Sequence, residues 1–403
     1  MILRALPILS LLSSTLASIT QSPLPNPPTL DPPSSTQLLH LHRTLIETES
    51  ITQNEQPVSA FLASYLTSLN YTVEKQHVSK TRFNILAHPR KHRSTPILVT
   101  SHIDTVPPFW PYYYNETSGI IGGRGSVDAK GAVAAQIIAV QGLRTHLRDA
   151  ISLLFVVGEE TGGDGMRNFS SWEHRPSPAY DIVIFGEPTE GKLVCGHKGM
   201  LGFALKATGK AAHSGYPWLG VSANDILVDA LAKLLDLRQH LPWSDKYGNT
   251  TMNFGRIEGG VAANVVAETA RANIATRLAA GSPDLVKGLV VDALQDVKAG
   301  AQQQGGDLDI EWGSEGYAPV DIDCDVEGFE KLTVNYGTDV PLLAGEHKRY
   351  LYGPGSIFVA HSDHEALRRR ELEQAVVDYR RLIVRAEEAR RRELHGIEEQ
   401  GEL

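Results

Sequence analysis

The side chains best suited to chemistry in this sequence stand where apolar runs stop. Ile97-Leu98-Val99-Thr100 gives way to Ser101-His102-Ile103-Asp104, the run Ile151 to Val157 to Gly158-Glu159-Glu160, and Ile182-Val183-Ile184-Phe185 to Gly186-Glu187. Short continuous apolar runs are the habit of strands buried on both faces of a parallel sheet, and open α/β sheets bind ligands beyond the carboxyl ends of their strands. Three sets of donors would then meet at one edge. Asp128 follows the glycine-rich Gly122-Gly123-Arg124-Gly125, near the start of a helix read over Ala129 to Leu147. His361 lies in a loop before a long charged helix, with Ser362 and Glu365 spaced as a capping box.

In chain order these donors are His, Asp, Glu, Glu and His, a set suited to a pair of borderline divalent ions such as zinc, two per chain. Two dipositive ions outweigh Asp128, Glu160 and Glu187, leaving a site positive enough to bring the pKa of a bridging water to about 7. Successive side chains on an extended segment point to opposite sides. One of Glu159 and Glu160 can therefore bind metal while its neighbour takes a proton from water. Asp104, two residues beyond His102, can accept the distal N–H of the imidazole and fix its tautomer.

The elements that must hold these groups come from a chain of 403 residues, long enough for two domains, with 42% hydrophobic and 21% charged residues. A net charge of −9 argues against a nucleic-acid partner. Arginines crowd Arg368 to Arg392 but glutamates interleave, which reads as a solvated helix face. Residues 1–18, with Arg4 ahead of an apolar stretch and Leu16-Ala17-Ser18 as a cleavage site, read as a signal peptide, and 19–36 as a proline-rich tether. No stretch reaches the length of a membrane span. The expectation is a secreted protein, with sequons at Asn70, Asn115, Asn168 and Asn249 as glycosylation sites. Cys195 and Cys324 could form one bridge or stay as two buried thiols.

Strand and helix patterns alternate from 37 to 198, the rhythm of a mainly parallel α/β sheet. From 199 to 311 the order becomes β-α-β-β-α, as in an inserted ferredoxin-like module, and 312–403 returns to the first domain with His361 and a closing helix. Gly122 to Gly125 is not followed by Gly-Lys-[Ser/Thr], no H-E-x-x-H occurs, and no internal repeat is evident.

Ser101-His102-Ile103-Asp104-Thr105-Val106-Pro107, Gly123 to Gly131, Gly158-Glu159-Glu160, Gly186-Glu187-Pro188-Thr189 and Ala360-His361, taken in order, resemble the motifs of the glutamate carboxypeptidase, aminoacylase and acetylornithine deacetylase family of dinuclear zinc hydrolases. The resemblance covers nearly all the chain after Thr36. It implies that Asp128 bridges two zinc ions, with His102 and Glu187 on one and Glu160 and His361 on the other. It makes Glu159 the base and Asp104 the residue orienting His102. In the inserted lid it implies that His213 stabilises the oxyanion, often across a dimer interface, and that Asn264 and Arg277 hold the substrate carboxylate. Gly355 would supply a backbone contact beside them. His364 and Ala267-Glu268 depart from the family pattern, which bears on the substrate pocket more than on the metal site.

The expectation is a secreted zinc amidohydrolase, a carboxypeptidase or an N-acyl amino acid hydrolase, forming a homodimer through its lid. Its alternatives are a zinc aminopeptidase without a lid and a secreted binding protein that retains the scaffold without turnover.

Overall fold

The computed structural model describes residues 30–172, 180–313 and 315–401, with side chains as far as 394. The signal peptide and most of the tether lie outside these residues. Its central sheet has six strands in the order Tyr71–His77, Phe83–Pro89, Ile151–Val156, Ile97–His102, Ile182–Gly186 and Lys348–Tyr352. The last four run parallel, and the first two form an antiparallel edge. Every residue of Ile97–His102, Ile151–Val156 and Ile182–Gly186 is buried. Alternate side chains serve opposite faces. Val99, Leu153, Phe155 and Ile184 join one core, and Leu98, Leu154, Val156, Val183 and Phe185 the other.

The helix Lys130–Gln141 is buried almost throughout, its alanines and Gly131 letting it approach the sheet beneath helices Pro32–Glu47 and Arg369–Gly401. It stops at Gln141, capped by Gly142, rather than continuing to Leu147. The first helix begins at Pro32, inside the expected tether, because Asp31 accepts the Ser34 N–H at 2.9 Å and proline suits the first helical position. The closing helix buries Leu372, Ala375, Val376, Tyr379, Leu382, Ile383 and Ala386, a three-and-four spacing, and turns its arginines outward among glutamates.

The inserted region is a four-stranded antiparallel sheet, in the order Thr251–Gly259, Thr269–Leu278, Gly199–Thr208 and Asp307–Trp312, with helices Ala223–Leu237 and Pro283–Gln303 and its own core. Asp307–Trp312 is a final strand beyond the β-α-β-β-α pattern read from the sequence. Ser222 and Ser282 cap the two helices through the N–H groups of Asp225 and Leu285. Cys195 and Cys324, for which two outcomes were open, form a disulfide across the two connections that enter and leave this region. Among the described residues no helix is long and apolar enough to cross a membrane.

Candidate active site

His102 ends its strand, Glu187 follows directly on Gly186, and the Glu159-Glu160 turn follows Ile151–Val156. These strands are parallel neighbours, with His102 level with Val156 and Ser101 level with Gly186, so the three stops lie side by side. Asp128 arrives from the turn before Lys130–Gln141, and His361 from a loop where it takes the left-handed φ of 62°.

The donors form two groups that share one carboxylate. His102 Nε2 lies 3.0 Å from Asp128 Oδ1 and 3.8 Å from Glu187 Oε2. His361 Nε2 lies 3.3 Å from Asp128 Oδ2 and 2.9 Å from Glu160 Oε2. Each trio keeps its ligand atoms within 4.8 Å of one another, so each oxygen of Asp128 faces a different group of nitrogen and oxygen donors. That donor set and that division suit a pair of borderline divalent ions.

The electrostatics point the same way. Burial pushes Glu187 up to about 7, and burial and then the Glu187 charge raise Glu159 well above the carboxylate range. Burial and Asp128 raise Glu160. Hydrogen bonds to Asp128 and Glu160 lift His361 to about 10. Burial alone would raise Asp128, but hydrogen bonds from His102 and His361 hold it low. This is a nest of crowded carboxylates that stabilises whatever positive charge it holds.

Glu159 and Glu160 occupy a single 3-10 turn, Glu159–Thr161, and not an extended segment; Gly158 at φ 78° bends the chain, and Arg82, bound to Glu55 and Asp164, packs against it. Asp104 does more than face His102. The imidazole Nδ1 lies 3.1 Å from the Asp104 backbone carbonyl and 3.5 Å from its carboxylate. That carboxylate accepts the N–H groups of Glu159 and Glu160 at 3.1 and 3.2 Å and the Thr52 hydroxyl at 2.8 Å.

Ser362 and Glu365 do not cap the closing helix, which starts at Arg369 after a short strand, Ala366–Arg368. Glu365 is instead buried beneath Asp128, where it accepts the N–H groups of Val127 and Asp128 at 3.0 and 3.2 Å and pairs with Arg124 at 2.6 Å.

A family model described as a peptidase dimerisation domain, that of the M20 peptidases, matches residues 195–301, and one described as peptidase family M28 matches 84–187. The probable carboxypeptidase of Aspergillus flavus is 50% identical over 404 residues, covering 90% of this chain and 93% of that one. The chain belongs to the M20 family of metallopeptidases. It is a hydrolase of the family its motifs resemble, which sets aside the binding-protein alternative. Its fold is shared by a tripeptidase from Staphylococcus aureus, with a TM-score of 0.69 at 22% identity over 87% of this chain and 99% of that one. It is shared also by an M20 metallo-carboxypeptidase from Sulfolobus solfataricus, with a TM-score of 0.65 at 17% identity over 86% and 98%. M20 metallopeptidases are metal-dependent. The inserted domain, matched at 195–301, separates the chain from an aminopeptidase without a lid, although the fold is shared by the aminopeptidase PepT of Bacillus cereus, with a TM-score of 0.64 at 21% identity over 87% of this chain and 98% of that one.

In this M20 peptidase a cavity of about 540 Å³ opens from Asp128, Glu159, Glu160, Glu187 and His361 toward Arg277 of the lid strand Thr269–Leu278. Among the described residues no carboxylate pairs with Arg277. The far wall holds Tyr317, Tyr336, Thr338 and Asp339, which sequence reading missed, since a polar loop without periodicity gives no signal of where it packs. Burial pushes Asp339 to about 8.

The other lid residues lie elsewhere. His213 is exposed and accepts the Gly215 N–H at 3.0 Å, and Asn264, also exposed, gives its carbonyl to Ser214; neither lines the cavity of its own chain. Gly355 is absent from that wall too, its carbonyl taken by Glu190 and its Cα packed on Val127. His364, one of the departures from the family pattern, is exposed and pairs with Asp363.

Proposed function

We propose that this M20 peptidase is a dinuclear zinc enzyme that hydrolyses an amide bond next to a free carboxylate, as a carboxypeptidase or an N-acyl amino acid hydrolase. The observation that carries the reading is the division of the Asp128 carboxylate between two donor groups, with Glu159 beside them and, in the same cavity, Arg277, which pairs with no carboxylate among the described residues. The name of the Aspergillus relative, probable carboxypeptidase, supports the same substrate end.

Zinc ions held by His102, Asp128 and Glu187 and by Asp128, Glu160 and His361 would polarise the scissile carbonyl and acidify the attacking water. Glu159 accepts a proton from that water as its oxygen bonds to the carbonyl carbon, then delivers it to the amine nitrogen as the C–N bond breaks. Asp104 keeps Glu159 and Glu160 in register through their N–H groups. Arg277 binds the carboxylate of the departing residue. His213 and Asn264 act on the partner's site in a homodimer formed through the lid, a role favoured by their exposure beside Tyr216 and Trp218.

Secretion is part of the same proposal, supported by the apolar N-terminal run, the disulfide and the exposure of Asn70, Asn115 and Asn249. Asn168 is a poorer glycan site, being half-buried with its side-chain carbonyl taken by Gln76 at 2.6 Å.

The test compares free-acid substrates with their C-terminal amides. Amidation is expected to lower kcat/KM by about thirtyfold or more, an effect of roughly 2–5 kcal/mol from leaving a desolvated guanidinium unpaired. Arg277→Ala is expected to erase most of that difference. Equal cleavage of acids and amides by the unaltered enzyme would contradict the reading.

A further inference from the structure

We propose that Asp339 is a specificity-determining residue that recognises a cationic amino group on the acyl side of the scissile bond. Asp339 is only 5% exposed, yet it lines the cavity that contains Glu159, Glu187 and Arg277. Its Oδ1 is shut away from solvent with no hydrogen-bond donor, and among the described residues no cationic side chain forms an ion pair with it. Arg167, on the same cavity wall, is exposed and gives its Nε–H to the Gly162 carbonyl at 3.2 Å.

The other acids of the cavity all have occupations. Asp128, Glu160 and Glu187 belong to the donor trios, Glu159 stands ready for the water, and Glu315 is exposed. Among the described residues lining the cavity, Asp339 is the acid that is buried and has no partner. The fold makes room for it: at Gly163, whose φ is 71°, a Cβ would fall 2.7 Å from Asp339 Oδ1 and collide with Leu342.

A buried carboxyl without a hydrogen-bond partner is destabilising. A site that keeps such a group is completed by its ligand, and it rejects ligands that lack the matching atom. The assignment to the acyl side rests on the reading that Arg277 takes the carboxylate of the departing residue. Asp339 instead packs against Gly163, at the end of the turn that carries Glu159, and a cavity of this size accommodates a short peptide. The matching cation has two sources, the α-ammonium of a dipeptide and the side-chain ammonium of a lysine.

The experiment uses the full chain loaded with zinc and four substrates that share a free C-terminal leucine: Ala-Leu, N-acetyl-Ala-Leu, N-acetyl-Lys-Leu and N-acetyl-norleucyl-Leu. The unaltered enzyme is expected to prefer the cationic member of one pair by at least tenfold in kcat/KM. The first pair reports the α-ammonium, the second the side chain. Asp339→Asn is expected to shrink that preference at least fivefold, mainly through KM. The inference is overturned by an unaltered enzyme that discriminates in neither pair, by an Asn variant that keeps the full preference, or by one that slows both members equally. Should the Asn variant not fold, Asp339→Ser and the preference of the unaltered enzyme decide between these outcomes. Failure of the Asp339 assignment leaves the preference for acids over amides intact, whereas failure of the carboxylate reading abolishes it.

Discussion

Glu365 accepts the backbone N–H of Asp128 at 3.2 Å, although 237 residues separate them. Glu365 also lies four residues beyond His361, so one buried carboxylate ties the loop of one metal-type donor to the loop of another. Glu365→Gln keeps the shape but leaves Arg124 buried without its counter-charge, a loss of about 3–5 kcal/mol. Zinc affinity is expected to fall roughly ten- to a hundredfold, as when support around ligands is removed, read by competition with a chelator. A variant with undiminished affinity would reduce Glu365 to a filler of space.

Acid should weaken the fold through two histidines outside the donor set. His42 Nε2 lies 2.9 Å from the Ser126 carbonyl, and His197 bridges the Lys198 carbonyl and the Thr338 hydroxyl. Burial holds both at about 4. In the unfolded chain they titrate near 6.5, so between pH 6.5 and 4 the unfolded state binds more protons and stability falls as pH falls, by at most about 3 kcal/mol each. Above pH 6.5 they add no slope. Urea midpoints measured with chelator present at pH 7, 5.5 and 4.5 should drop across the window, and His42→Gln should flatten part of the drop; a level midpoint would contradict this.

The disulfide closes a loop spanning 129 positions that contains the whole lid. Replacing Cys195 and Cys324 together by serine is expected to cost roughly 3–5 kcal/mol and to speed proteolysis where the lid joins the sheet. Unchanged unfolding and unchanged cleavage would show that packing alone secures the lid.

Three of the donors were legible because each follows an uninterrupted apolar run, and three parallel runs in register must bring their ends together. His102, Glu160 and Glu187 needed nothing more than that rule. Asp339 and Glu365 were illegible for a shared reason: their surroundings come from residues far away in sequence, Gly163 packing beside one and Arg124 with the Val127 and Asp128 amides binding the other. Ser362 and Glu365 have capping-box spacing, but a buried ion pair and two backbone donors outweigh a helix cap for the same carboxylate. The Glu159 turn was misread because period-two alternation was carried past Gly158, whose positive φ ends the strand. The final lid strand, Asp307-Leu308-Asp309-Ile310-Glu311-Trp312, alternates strictly and pairs with Gly199–Thr208; its period-two signal was legible, but the β-α-β-β-α order ended before it.

The proposed mechanism stands or falls on Glu159 moving the proton while its neighbour holds metal. Zinc content and turnover of Glu159→Gln, measured beside Glu160→Ala on a free-acid peptide at neutral pH, decide the matter. Glu159→Gln is expected to keep the metal content of the unaltered enzyme while kcat falls roughly a hundredfold to ten-thousandfold, and Glu160→Ala to lose metal. A Glu159→Gln protein that loses metal as Glu160→Ala does, or that turns over at near-normal rate, would contradict this division of labour.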